Sequence, residues 1–211
     1  MNDYEYNIGL EVHVELNTKT KAFCSCKTEF AAEPNTNVCP VCLGLPGALP
    51  LFNMKVAEMA VTVGKALNCE IFPVSYFDRK NYFYPDLPKA YQITQFYHPI
   101  CRRGYLTIET EQGEKKIGIE RIHIEEDAGK LIHSGNETKI DFNRGGVPLL
   151  EIVSEPALSS ADEVKSYIRK LRSIILFCGV SDCKMNEGSM RCDINLSVRP
   201  RGAIFWESGR R

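Results

Sequence analysis

The sequence predicts an α+β fold with a largely antiparallel sheet and packed helices. Three observations carry this: segments in which apolar residues recur at every second position, two segments of helical spacing with recognisable caps, and an order that sets strands before, between and after those helices.

The first strand is marked by strict alternation of Ile8, Leu10, Val12, Val14 and Leu16, which leaves Glu11, His13 and Glu15 together on the opposite face. Asn53 then caps a helix whose Val56, Met59, Ala60, Val63 and Leu67 make one apolar stripe ending near Asn68. A second alternation sets Ile122 and Ile124 against Arg121, His123, Glu125 and Asp127. A third, from Leu149 to Glu155, aligns Leu149, Glu151, Val153 and Glu155. The second helix is signed by a Ser160–Glu163 capping box, a buried face of Val164, Tyr167, Ile168, Leu171, Ile174 and Ile175, and Gly179 as its stop. In the last strand Cys192, Ile194, Leu196 and Val198 oppose Asp193, Asn195, Ser197 and Arg199. Spacing does not give the strand order.

With 211 residues and 44% hydrophobic side chains the chain can bury a sizeable core. Its 26 basic and 27 acidic residues leave a net charge of -1, so no global field draws it onto nucleic acid or anionic lipid, and a polyanion must be met locally. No apolar run approaches the roughly 20 residues of a membrane span, and the start lacks a basic-then-apolar signal. A cytoplasmic location without membrane contact is therefore expected. The nine cysteines are accordingly thiols or metal ligands rather than a disulfide framework.

Four of those cysteines fall within 19 residues, as Cys24-Ser-Cys26 and, after twelve residues, Cys39-Pro-Val-Cys42. Two close pairs across a short loop suit a structural zinc ion, and four protein ligands leave no open position for catalysis. The competing account is that they are simply small core residues. Cys69, Cys101, Cys178, Cys183 and Cys192 are scattered and need only be buried.

Residues two apart on a strand lie roughly 7 Å apart on one face, so Glu11 and His13 can reach a common ion, joined by Glu125 and Glu151 if their strands are neighbours. Carboxylates converging there repel one another unless a cation neutralises them, and magnesium prefers such oxygens. Otherwise these are the solvated faces of half-exposed strands. Eight of the 20 aromatic residues lie between Tyr76 and Tyr97, interleaved with Arg79, Lys80 and Lys89. That mixture fits base stacking with phosphate contacts, or a packed loop. Gly145-Gly146 either lets backbone amides approach an anion or turns the chain into the next strand.

The stretches IGLEVHVEL at 8–16, NTNVCPVCLGLPGALP at 35–50, FDRKNYFYPDLPKAYQITQ at 77–95 and DFNRGGVPLLEIVSEP at 141–156 closely resemble the B subunit of the tRNA-dependent glutamine or asparagine amidotransferase, in order and through nearly all of 1–200. The resemblance implies a glutamine synthetase-like catalytic domain in a heterotrimer with an A subunit, which releases ammonia from glutamine, and a C subunit. The B subunit uses ATP to phosphorylate the side-chain carboxylate of Glu-tRNA(Gln) or Asp-tRNA(Asn), and ammonia displaces phosphate. It further implies magnesium on His13, Glu125 and Glu151, with Glu11 as an outer or alternative ligand and Asp193 weaker still. Arg79 or Lys80 would act catalytically on phosphate oxygens, nearby tyrosines would flank adenine or the tRNA end, and structural zinc would sit on Cys24, Cys26, Cys39 and Cys42.

After SVRPRG the sequence leaves the family pattern. On this reading residues 1–202 are a partial catalytic, or cradle, domain incomplete at its C-terminus, with a zinc loop at 24–42. Residues 203–211 are a divergent tail, and helical and tRNA-binding tail domains are absent, so the chain alone is expected to be inactive. The competing expectation is a zinc-stabilised RNA-binding module without chemistry.

Overall fold

The computed structural model describes residues 4–203; of the divergent tail expected over 203–211, all but Ala203 lies outside the described residues. The fold is α+β, as predicted. Strand β1 (Tyr4–Glu15) leads through a long loop to helix α1 (Met54–Ala66), then β2 (Glu70–Ile71), β3 (Asp78–Asn81), β4 (Tyr91–Thr94), β5 (Cys101–Thr110) and β6 (Gly113–Glu126). The hairpin β7 (Lys130–Ser134) and β8 (Glu137–Asp141) precedes β9 (Pro148–Ser154), helix α2 (Ala161–Phe177) and β10 (Met190–Pro200). Six strands form one antiparallel sheet in the order β10-β1-β9-β6-β5-β2, with β3-β4 and β7-β8 as separate two-stranded sheets.

The alternation read from the sequence becomes the two faces of this sheet. Leu10, Val12, Val14, Ile122, Ile124, Leu150 and Ile152 are buried against Val56, Ala60, Val63 and Leu67 of α1 and Tyr167, Leu171 and Ile175 of α2. The helices therefore cover one face, and Glu11, His13, Glu125 and Glu151 project from the other. The caps form as expected for Asn53, which accepts from Lys55 N, and Ser160, which accepts from Glu163 N. The Glu163 carboxylate returns to Ser159 N–H rather than to Ser160, one residue beyond the ordinary capping box. Three expected strand members fall just outside: β1 ends at Glu15, before Leu16, β6 at Glu126, before Asp127, and β9 at Ser154, before Glu155.

The opposite face is partly roofed by the β1–α1 loop and the β3-β4 hairpin. Ala22, Phe23 and Ile93 form a second small core there, with the rings of Phe23, Phe52 and Phe77 in mutual contact at 4.9–5.6 Å between centroids. The roof is fastened to β6 by polar atoms: Gln95 Oε1 accepts from Ile124 N, and Glu126 Oε1 accepts from Ile93 N. Among the described residues no helix is long and apolar enough to cross a membrane.

Candidate metal centre and its cleft

Strand pairing supplies what spacing could not. Register aligns Arg191, His13, Glu151 and His123 side by side across β10, β1, β9 and β6. Glu125, two residues beyond His123, leans into the same point. His13 Nε2 lies 3.4 Å from Glu125 Oε1 and 3.4 Å from Glu151 Oε2. Donors on an octahedron of the magnesium–oxygen length stand about 3 Å apart along an edge, so the three groups need close in only slightly to hold one ion. An imidazole with two carboxylates is a donor set for hard or borderline divalent cations.

These carboxylates are nearly out of solvent, with side chains 4% exposed for Glu125 and 10% for Glu151. Burial acts to raise the Glu151 carboxyl, but hydrogen bonds and charge from His123 and His13 outweigh it and hold the group far below the usual carboxylate range. Burial opposes charge on His13 as well, yet the Glu151 hydrogen bond and the Glu125 and Glu151 charges raise it. Farther along the face, burial and then Asp127 push the Glu15 carboxyl up to about 7, which Arg191 and Arg144 partly offset.

His123 is the functional candidate that the sequence places on this face without giving it a role. Its Nε2 is 3.2 Å from Glu151 Oε2, and its buried Nδ1 has no partner among the described residues. Only the β6–β9 register reveals that proximity. Glu11 stands one row away, its Oε1 accepting from Asn195 Nδ2, outside the three-donor group. Asp193 is 72% exposed, with Oδ2 3.9 Å from His13 Nδ1.

A cleft of 550 Å³ opens above these donors, and Arg79, Lys80 and Arg121 join Phe96 and Tyr97 along its walls. Asp78 Oδ2 accepts from the backbone N–H groups of Phe96 and Tyr97, so the β3 end fixes the aromatic pair at the rim. The Arg79 guanidinium rests 5.1 Å from the Tyr91 ring centroid. The aromatic stretch thus divides: Phe77, still 37% exposed, packs its ring against Phe23 and Phe52, whereas Phe83, Tyr84, Phe96 and Tyr97 are more exposed. The Gly145 and Gly146 amides are already donated, to Phe142 O and Asp127 O, so this glycine pair is the turn into β9 rather than an anion cradle.

The four cysteines converge as well. A tight bridge between Thr20 and Lys27 carries Cys24 and Cys26, and the Cys39–Cys42 knuckle is closed by Leu43 N donating to Cys39 O. One sulfur from each lies within 4.8 Å of the others, with Cys39 and Cys42 at 3.9 Å. Zinc–sulfur bonds of 2.3 Å at tetrahedral angles put sulfurs about 3.8 Å apart, so the set fits zinc. A hydrogen bond from Cys24, with the Cys39 amide and the Lys21 charge, carries Cys42 below the ordinary thiol range against the effect of burial; Cys24 rises in exchange.

The family described as the GatB/GatE catalytic domain matches residues 6–209. A relative from Clostridium tetani (strain Massachusetts / E88), named as the B subunit of aspartyl/glutamyl-tRNA(Asn/Gln) amidotransferase, is 64% identical over 201 residues, covering 95% of this chain and 42% of its own. Proteins of that name from Caldanaerobacter subterraneus subsp. tengcongensis and Carboxydothermus hydrogenoformans are 62% and 57% identical, over 94% and 96% of this chain and 42% and 43% of theirs. The chain thus spans less than half the length of the curated relatives it matches. A match of this extent, in a chain whose strands draw His13, Glu125 and Glu151 together, makes it a member of the GatB/GatE catalytic-domain family.

Proposed function

We propose that this chain carries the carboxylate-activating centre of the B subunit of a tRNA-dependent amidotransferase. The γ-phosphoryl group of ATP passes to the side-chain carboxylate of glutamate or aspartate on tRNA(Gln) or tRNA(Asn). Ammonia from a partner glutaminase, the A subunit of an assembly that includes a C subunit, then attacks the acyl carbon and phosphate departs. The observation that supports this most is the meeting of His13, Glu125 and Glu151 beneath a cleft walled by Arg79, Lys80 and Arg121.

The chemistry gives each group a task. A carboxylate cannot expel oxide, whereas an acyl phosphate loses phosphate readily, so the difficult step is delivering a dianionic group to an anionic acceptor. Such transfer depends on positioning and charge neutralisation. His13, Glu125 and Glu151 would hold magnesium, with Glu11 outside them; bound there, the ion supplies positive charge to phosphate oxygens. Arg79 and Lys80 would meet the transferred phosphoryl group from the cleft wall. Phe96 and Tyr97 offer flat apolar surface to adenine or to the tRNA acceptor end. Cys24, Cys26, Cys39 and Cys42 would hold structural zinc, and free thiols in that number suit the reducing cytoplasm.

Thermal unfolding with ATP and magnesium, separately and together, tests the reading. A ligand at about 100 times its dissociation constant adds about 2.7 kcal/mol to the folded state, so the pair is expected to raise the midpoint together and not singly. Glu125→Gln and Glu151→Gln should abolish the rise. The exposed Phe83 and Tyr84 favour one other reading, a zinc-stabilised RNA-binding module. It predicts tRNA binding with no magnesium-dependent nucleotide effect.

A further inference from the structure

Lys21 has no exposed surface. Its ammonium meets two acceptors, Cys42 Sγ at 3.7 Å and Phe142 O at 3.3 Å, and among the described residues no carboxylate pairs with it. A buried ammonium needs an anionic partner. Cys42 Sγ, the sulfur it meets, supplies one as thiolate, and four thiolates around a doubly charged cation leave a net charge of about minus two to face it. Its burial is thus an observation, separate from sulfur spacing, that the cluster is anionic in the folded protein.

The same side chain borders the route from the cluster to the cleft. Gly146 has φ +88°, and a Cβ there would stand 3.3 Å from Lys21 Cδ and 3.7 Å from Cys42 Cβ. Ala22 N donates to Gly146 O, Gly146 N to Asp127 O and Asp127 N to Val147 O. Asp127 follows Glu125 by two residues, and Val147 opens directly into β9 with its Glu151. The loop is also held from its other side, where Asn35 and Asn143 exchange hydrogen bonds with segments 140–142 and 33–37.

We propose that Lys21 is the counter-charge of the four-cysteine zinc centre and a positioning residue that transmits zinc occupancy to the 142–147 turn, and through it to the strand ends bearing Glu125 and Glu151. This rests on the zinc reading above. Partners of this kind typically change metal affinity by about 10- to 100-fold.

The test uses the purified chain. Zinc affinity is measured by competition with a chromophoric chelator for the unaltered protein, for Lys21→Met, and for Lys19→Met as a control for loss of one exposed charge. Lys21→Met is expected to lower affinity about 10- to 100-fold and Lys19→Met to leave it unchanged. A second arm needs no variant: acylation by an amine-reactive reagent, read by mass spectrometry, should spare Lys21 with zinc bound and modify it once a chelator has removed zinc. Amide exchange of residues 142–147 should quicken at the same time. Unaltered zinc affinity in Lys21→Met, or labelling of Lys21 indifferent to zinc, overturns the proposal while leaving the zinc site intact. Failure of the unaltered chain to take up zinc overturns both. If Lys21→Met does not fold, the labelling arm decides.

Discussion

Glu126 is 2% exposed, and its Oε1 is met by Lys89, itself largely buried, while Ile93 N–H donates to the same oxygen. Removing one member of such a pair leaves the other as an uncompensated buried charge, at about 3–5 kcal/mol, although the pair itself adds little over an apolar equivalent. Lys89→Met should therefore lower the urea midpoint sharply, and adding Glu126→Gln should recover most of the loss. Equal losses from the single and the double variant would mean that Lys89 packing, not its charge, matters. Gly44 belongs to the same contact, since at φ +68° a Cβ would lie 2.6 Å from Lys89 Cγ. None of this is legible from sequence, where Lys89 stands only as one basic residue in an aromatic stretch. The pairing depends on bringing together residues 37 apart along the chain.

Among the elements, the helices are legible because their signals are local: a cap, a 3.6-residue stripe and a stop. Each also carries a prediction. In α1, Gly64 sits against β5 and β2, where an added Cβ would come 2.5 Å from Cys101 Sγ and 2.8 Å from Ile71 Cδ1. Alanine gains about 1 kcal/mol of helix propensity, but overpacking costs about 1–3 kcal/mol, so Gly64→Ala should destabilise in thermal unfolding and Cys101→Ala should relieve it. In α2, burial opposes ionisation of Glu163, yet Lys115 and then the Ser159 hydrogen bonds win, and its carboxyl lies below the usual range. Stability from this group is complete above the unfolded carboxyl's titration and disappears as pH falls through the lower folded value. Glu163→Gln should thus be less stable than the parent at pH 7 and converge with it in strong acid. Strands are legible only where the alternation keeps phase. Along β6, Ile117 and Ile119 are buried at odd positions and Ile122 and Ile124 at even ones, the slip occurring at a bulge between Ile119 and Arg121. Opposite it, Arg103 at φ +55° shifts β5 between Cys101 and Gly104, so the alternation of Gly104, Leu106 and Ile108 does not run back to Cys101 and β5 shows no single period. Strand β3 reads Asp-Arg-Lys-Asn, which local propensity disfavours, and Asp78 helps fix its partner's end.

Across the whole molecule, the candidate donors can be named from strand faces and from the family resemblance, but their meeting point is a property of the sheet order. β1 and β9 are neighbours although His13 and Glu151 stand 138 residues apart, and no period in either strand encodes that pairing. The sheet and its helices form one continuous core, whereas the cysteine loop rests on a small cluster in which, among the described residues, Ala22, Phe23 and Ile93 are buried. So small a cluster cannot offset the backbone entropy lost in ordering the loop, at about 1–2 kcal/mol per residue, and metal–thiolate bonds are the further stabilisation that four converging cysteines could supply. Chelating zinc at neutral pH should lower the thermal midpoint by at least about 5 °C and expose the 24–50 loop to protease, while the far-ultraviolet dichroism of sheet and helices persists below the transition. An unchanged midpoint and cleavage pattern after chelation would mean that the loop's hydrogen bonds to 140–146 hold it unaided. Loss of the whole far-ultraviolet signal would mean that the two cores fold as one cooperative unit, with zinc stabilising the sheet as well as its roof.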